Sequence, residues 1–258
     1  MGNKIGIIGA GNLAWHLAKM FSLHKVELQS IFVRSVSQVI DFQFLNETVF
    51  YHQIPQLIAK SEIIFFAVPD KTIAELLRDY QWHNKYLVHS AGSVSIDVFR
   101  HRTENFGVFY PMQTFTKNRM LDYAEIPIFV EANSSRNEQI LVNLASKIST
   151  KTMILDSEKR KQMHLAAVFV NNFANRMWSI GQELCAENDI PFEYLQALLQ
   201  ETYLKALENS ALNSQTGPAK RQDYQTMQLH LEMLKNKALL KKIYSFVSES
   251  IIQTQKNA

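Results

Sequence analysis

The sequence predicts an α/β domain with a mostly parallel sheet, followed by an all-helical domain. Short apolar runs of β type alternate with helical stretches through residues 1–155. Several of those runs, IIFFAV among them, are apolar throughout, which suits strands covered on both faces of a parallel sheet. After Asp156 no strand-like run follows, and helical patterns succeed one another. The expected domains are therefore 1–155 and 156–258.

In chain order the expected strands are residues 4–8, 28–33, 48–51, 62–68, 86–89, 107–110, 126–130 and 152–155. Helical stretches of about 8 to 15 residues lie between many of them, the rhythm of βαβ units. The second half opens with one long helix over 157–187, closed by the Asn- and Pro-containing break at 188–191. Further helices are expected over 192–212, over 223–234 and on to about residue 253, with 213–220 as the clearest long loop. There is no internal repeat and no low-complexity segment.

A chain of 258 residues is long for one core and comfortable for two domains. With 27 basic and 24 acidic residues the net charge is +3, which gives no reason to expect nucleic acid or an anionic membrane as partner. One cysteine, Cys185, excludes an internal disulfide framework and fits a reducing compartment. The first residues lack the form of a signal peptide, and no apolar run approaches the roughly 20 residues of a membrane span. A cytoplasmic location is the expectation.

The strongest local signal is KIGIIGAGNLA at residues 4–14. Gly9, Gly11 and Ala14 stand on the GxGxxG/A spacing, after a strand and at the opening of a helix, as in a Rossmann domain. Gly9 permits the tight turn, Gly11 lets the backbone approach a pyrophosphate, and Ala14 allows helix and strand to pack closely. The pyrophosphate would rest on N–H groups at the helix start, around Asn12 and Leu13, where the helix dipole favours an anion. A purely structural turn is the competing reading.

The end of the second strand bears on which dinucleotide binds. A site for NAD usually places a carboxylate there, about 20 residues on, for the ribose 2′-hydroxyl. Here the strand ends in Arg34 and Ser35, a guanidinium and a hydroxyl suited to a 2′-phosphate, so NADP is the expected cofactor. A solvated surface arginine is the alternative. Val68 and Pro69 close the fourth strand on the same edge, where their backbone would line the adenosine or the nicotinamide ribose.

Three clusters suggest chemistry beyond the cofactor. His89, Ser90, Ala91 and Gly92 end the fifth strand; Tyr110, Pro111, Met112, Gln113, Thr114 and Phe115 follow the sixth. His164 lies early in the long helix, with Asn171 and Asn172 seven and eight residues on, about two turns, so that one or both share its face. His164 is either a proton-transfer group or a histidine satisfied at a domain interface, and His89 either meets substrate or bonds neighbouring backbone. Lys159, Arg160 and Lys161 read as a solvated run. In TGPAKRQD (216–223), Lys220 and Arg221 are a clamp for an acidic substrate or part of an ordinary loop, with Asp223 as a helix N-cap. No spacing supports a metal site, and no nucleophile-and-base motif appears.

Taken in order, GIIGAGNLAWHLA, AVPD, HSAG, YPMQTF, HLAAVFVNNF and TGPAKRQD resemble bacterial Rossmann-like proteins with a helical C-terminal domain of unknown function. These belong to the 6-phosphogluconate-dehydrogenase-like superfamily, with pyrroline-5-carboxylate reductase, ketopantoate reductase and the deazaflavin-dependent NADP reductases. The resemblance spans nearly the whole chain. It implies a helical domain that makes a homodimer, a cleft between the domains, and Gly217, Pro218 and Arg221 near that cleft. Relatives often carry histidine at the place of Tyr110 and glycine at that of Gln222, departures that weigh against an acid/base role for Tyr110 and a tight turn at Gln222. The catalytic lysine of the hydroxyacid dehydrogenases has no counterpart with the right spacing, although Lys161 lies nearby.

Together these readings predict an NADP-dependent oxidoreductase that moves hydride to or from a small carbonyl or imine compound. His164 would handle the proton, Asn171 would orient substrate, and Ser90 or Gln113 would bond the reacting group, with His89 and Arg221 as further substrate contacts. The alternatives are a non-catalytic NADP-binding sensor and a module that binds a nucleotide sugar or another ligand.

Overall fold

The computed structural model describes residues 4–256. Strand β1 (Ile5–Ile8) is buried at every position, as a strand covered on both faces must be. It is followed by α1 (Asn12–Leu23), β2 (Leu28–Phe32), β3 (Val49–Tyr51), α2 (Ile54–Lys60), β4 (Ile63–Phe66) and α3 (Asp70–Asp79). Then come β5 (Tyr86–His89), β6 (Asn105–Pro111), β7 (Ile128–Ala132), α4 (Ser135–Ile148) and β8 (Thr152–Ile154). All eight runs read as strands form strands, to within a few residues at their ends.

The sheet has the order β3-β2-β1-β4-β5-β6-β7-β8. The first six of these are parallel to their neighbours, β7 runs antiparallel to β6, and β8 is parallel to β7. Strand order reverses at β1, so the carboxyl ends of β1 and β4 flank a switch point, where loops part and leave a crevice for ligand.

Each face of the sheet has its own core. Along β4, Ile63 and Phe65 join one cluster while Ile64 and Phe66 join the other, the alternation of a strand. Trp15, Leu17 and Phe21 of α1 and Leu141 and Ile148 of α4 cover the first face. Leu57 of α2 and Ile73 and Leu77 of α3, with Trp82 and Phe99, cover the second. At about 1.5–3 kcal/mol for each large apolar side chain buried, these clusters hold the strand ends in fixed register.

The helical half contains α5 (Ser157–Ala167), a π-helical segment (Val168–Phe173), α6 (Ala174–Ala186), α7 (Gln196–Asn209), α8 (Pro218–Arg221), α9 (Tyr224–Met233) and α10 (Ala238–Lys256). The single helix expected over 157–187 is thus interrupted by the π segment. Part of the expected loop 213–220 is also helical: Gly217, at φ +98°, turns the chain, and Pro218 opens the short α8. Gln222 ends α8 in the left-handed region at φ +54°, so the tight turn is made there without glycine. Asp223 caps α9, its side chain accepting from the Thr226 N–H at 3.0 Å.

The chain divides into two compact units, Met1–Asn171 and Asn172–Ala258. The change of rhythm at 155/156 lies earlier, because α5 is helical in sequence but anchored to the sheet. Ser157 and Arg160 are buried, and the Ser157 hydroxyl donates to Glu131 of β7 at 2.8 Å. Among the described residues no helix is long and apolar enough to cross a membrane.

Candidate functional site

The glycine loop joins β1 to α1 at the switch point. Gly9 has φ +132°, and a Cβ there would stand 2.3 Å from the Ala67 carbonyl oxygen, so backbone approaches backbone where no side chain fits. Gly11, the N-cap of α1, differs: its backbone is extended, and a Cβ would meet nothing within 4 Å. That open space borders a helix start with no side-chain cap and no acidic residue in its first turn. Ala14 is fully buried beneath it. Uncapped N–H groups around Asn12 and Leu13, the positive end of α1 and a bare backbone fit a dinucleotide pyrophosphate.

Arg34 and Ser35 are exposed just beyond β2. Their amides both donate to the Gln38 side-chain oxygen, at 3.0 and 3.2 Å, which fixes the backbone under the guanidinium. The Ser35 hydroxyl caps the 3-10 turn Val36–Phe42 and lies 2.7 Å from the Ser37 hydroxyl, so it already serves the local fold. Val68 is half-buried, and the exposed Pro69 is the N-cap of α3.

At the carboxyl ends of β5 and β6 the polar residues separate into a closed layer and an open one. His89 is closed: it is fully buried, stacks near Phe99 and accepts from the Ala91 N–H at 3.2 Å. Burial, and then the nearby Arg160 charge, push its pKa down to about 3, against a pull upward from the Ser95 backbone. His89 is therefore neutral, and its Nε2 has no hydrogen-bond partner among the described residues. Ser90 is buried as well, and its hydroxyl likewise has no partner among the described residues. An orphan hydroxyl on this edge suits a ligand's polar group.

The open layer centres on His164 and Tyr110. Their Nδ1 and phenol oxygen are 3.0 Å apart, and the rings meet edge-on at 6.2 Å. The imidazole lies against Gly92, where a Cβ would be 2.5 Å from Nδ1. Both residues are half-buried. Burial raises the Tyr110 pKa, Arg160 opposes the shift, and Asp70 adds to it. Asp70, at the start of α3, accepts a hydrogen bond from the Ser93 hydroxyl. The departure at position 110 thus keeps a hydrogen-bonding group beside His164.

Arg160 overturns the reading of 159–161 as a solvated run. It lies one turn before His164 on α5 and is fully buried. Its guanidinium pairs with Glu131 and donates to the Val94 carbonyl and to the Ser157 hydroxyl, the last at 3.1 Å. A carboxylate, a carbonyl and a hydroxyl together offset the cost of burying the charge. Its flanking lysines pair on the surface with Asp156 and Glu158.

Of the remaining expected residues, Gln113 is exposed and its side-chain oxygen accepts from the Thr114 N–H at 2.9 Å. Asn171 and Asn172 lie exposed in the π segment that follows α5. Arg221 is exposed in the second unit, at the end of α8.

The strap formed by residues 115–117 carries no distinctive sequence mark. The Thr116 carbonyl lies 2.9 Å from Nε2 of the buried His16, and Asn12 accepts from the Lys117 N–H at 3.3 Å. The other ring nitrogen of His16 lies 2.8 Å from the Tyr123 hydroxyl. The only available signal was a histidine on the apolar face of α1, which more often marks a core residue. Among the described residues no cluster of histidine, cysteine and carboxylates could hold a metal ion.

Residues 4–92 match the family model of coenzyme F420-dependent NADP oxidoreductases, and residues 126–251 match a domain of unknown function, DUF2520. BF3122 from Bacteroides fragilis, provisionally assigned as an NADP oxidoreductase, is 34% identical over 98% of both chains, with a TM-score of 0.89. A reductive aminase from Aspergillus terreus, solved with NADPH and ethyl levulinate, shares the fold at 14% identity and a TM-score of 0.70, covering 98% of this chain and 95% of that one. An imine reductase from Myxococcus stipitatus, solved with NADP+, does so at 14% and 0.67, covering 99% and 93%. No curated protein matches the chain.

Proposed function

The chain belongs to the family of Rossmann-like proteins with a C-terminal DUF2520 domain, within the 6-phosphogluconate-dehydrogenase-like superfamily, and on that premise we propose an NADP-dependent oxidoreductase acting on a small carbonyl or imine compound. The observation that carries this reading is the bare, uncapped start of α1 at the switch point, open above Gly11. When bound, the nicotinamide supplies or accepts the hydride.

The chain's own residues do the rest. Gly9 and Gly11 admit the pyrophosphate to the backbone, the N–H groups of Asn12, Leu13 and Ala14 hold it, and Val68 and Pro69 line the adjoining ribose. Arg34 meets the 2′-phosphate, with Ser35 supporting the turn beneath it. His164 gives or takes the proton, and the buried Ser90 hydroxyl bonds the reacting group, with Gln113 on the neighbouring loop. Asn171 and Arg221 orient substrate, a role that rests on the family resemblance. The fold shared with a reductive aminase and an imine reductase supports the choice of substrate class.

The same reading includes a homodimer formed through the helical domain. Among the described residues of Asn172–Ala258 only Ala219, Leu234 and Ser248 are buried, while Trp178, Leu207, Leu229 and Phe246 are exposed. Apolar side chains in that state call for a partner surface.

The direct test offers the protein NADPH and a panel of cyclic imines, imine-forming ketone and amine pairs, and keto acids, while nicotinamide absorbance is followed. Turnover is expected with at least one compound class, and His164→Ala should lower it by about 10²–10⁴-fold with NADPH affinity nearly unchanged. Tight NADPH binding with an inert panel would favour the sensor reading.

A further inference from the structure

We propose that Tyr110 is a positioning residue: its phenol donates to Nδ1 of His164 and so keeps the proton of the neutral imidazole on Nε2, the nitrogen left to meet a reactant. The inference rests on the proton-handling role proposed above for His164.

Two groups enclose Nδ1. The Tyr110 hydroxyl lies 3.0 Å from it, and the bare backbone of Gly92 faces the same edge, with room for no side chain. Nε2 has no hydrogen-bond partner among the described residues. A neutral imidazole bears one N–H, and a phenol can donate once and also accept. Whichever way the bond runs, one hydrogen, on the phenol or on Nε2, finds no acceptor among the described residues, so satisfaction alone does not select the donor. Strength does: a phenol O–H is a stronger donor than the N–H of a neutral imidazole, and the bare ring nitrogen is a stronger acceptor than a phenol oxygen. With the phenol donating, Nδ1 is an acceptor and the imidazole proton resides on Nε2.

The surroundings favour this arrangement. Burial and Asp70 keep the phenol protonated, while the Arg160 cation draws it back toward the ordinary range and makes it a stronger donor. Arg160 holds its place through Glu131 and the Val94 carbonyl, one helical turn from His164. The charged groups set around the pair are thus Arg160 on α5, Glu131 on β7 and Asp70 on α3. Both Tyr110 and His164 are carried by structured elements, β6 and α5, so the pair is present before any ligand arrives.

The test is a spectrum of the full chain, without ligand, labelled with ¹⁵N and held near pH 8.5, about two units above the ordinary imidazole pKa. Long-range ¹H–¹⁵N correlations assign the tautomer, with His164→Gln identifying the ring. We expect His164 protonated on Nε2 in the wild type, and a shift toward a mixture of tautomers in Tyr110→Phe, which keeps the ring and removes only the donor. An amide spectrum confirms that the variant is folded, and the wild-type result stands without it. A wild-type ring protonated on Nδ1, or a tautomer unchanged in folded Tyr110→Phe, would overturn the inference. Because no cofactor is present, these outcomes are separate from failure of NADPH to bind, which would overturn the function proposed for the site instead.

Discussion

Gly9 and Gly11 do opposite work two positions apart. Gly9 is demanded by the protein, since its φ is +132° and a Cβ would strike the Ala67 carbonyl at 2.3 Å. Gly11 has ordinary backbone angles and empty space around it, so only something outside the protein requires it to be bare. Gly9→Ala should therefore cost about 2–4 kcal/mol of stability, whereas Gly11→Ala should stay within about 0.5 kcal/mol of wild type yet lose at least tenfold in affinity for NADPH. A thermal melt paired with a titration separates the two, and unchanged affinity in Gly11→Ala would contradict the site. Both glycines were legible in the sequence, because spacing alone singles them out. Arg160 was not: a cation between two lysines looks solvated, and only the packing of α5 on β7 reveals the half-buried carboxylate it needs.

At the scale of elements, the eight strands were readable because each is a short apolar run bounded by polar residues. The reversal of β7 was not, since direction depends on the connection after β6 and leaves no mark in the strand itself. The π segment was likewise hidden, as the apolar pattern of HLAAVFVNNF suits an uninterrupted α-helix. The end of β5 shows how an element can carry a pH dependence. With a folded pKa near 3 against an ordinary value of 6.5, His89 binds its proton in the unfolded chain first. Its contribution to stability is therefore complete above pH 6.5 and is lost as pH falls toward 3, with a slope of up to about 1.4 kcal/mol per pH unit. His16, whose pKa is also lowered by burial, acts in the same direction, so the comparison must isolate His89. Chemical denaturation of His89→Gln between pH 4 and 6.5 should show a flatter decline than wild type. Parallel declines would mean that the buried ring does not carry the acid sensitivity.

For the whole molecule, the α/β unit carries almost all of the buried core, while many apolar side chains of the helical unit are exposed. Sedimentation should give twice the 29.8 kDa chain mass, and Phe246→Glu, at a 70% exposed position, should shift the protein toward the monomer. A monomeric wild type would contradict the proposed dimer. The α/β unit raises the more central question, whether its open edge takes a nicotinamide dinucleotide. That is tested by calorimetric titration of wild type and Arg34→Ala with NADPH and NADH side by side. NADPH should bind clearly tighter than NADH, with a loss of about 1.5–3 kcal/mol for NADPH in Arg34→Ala and little change for NADH. Equal losses for both cofactors would contradict the role of Arg34, and failure of both to bind the wild type would contradict the oxidoreductase itself.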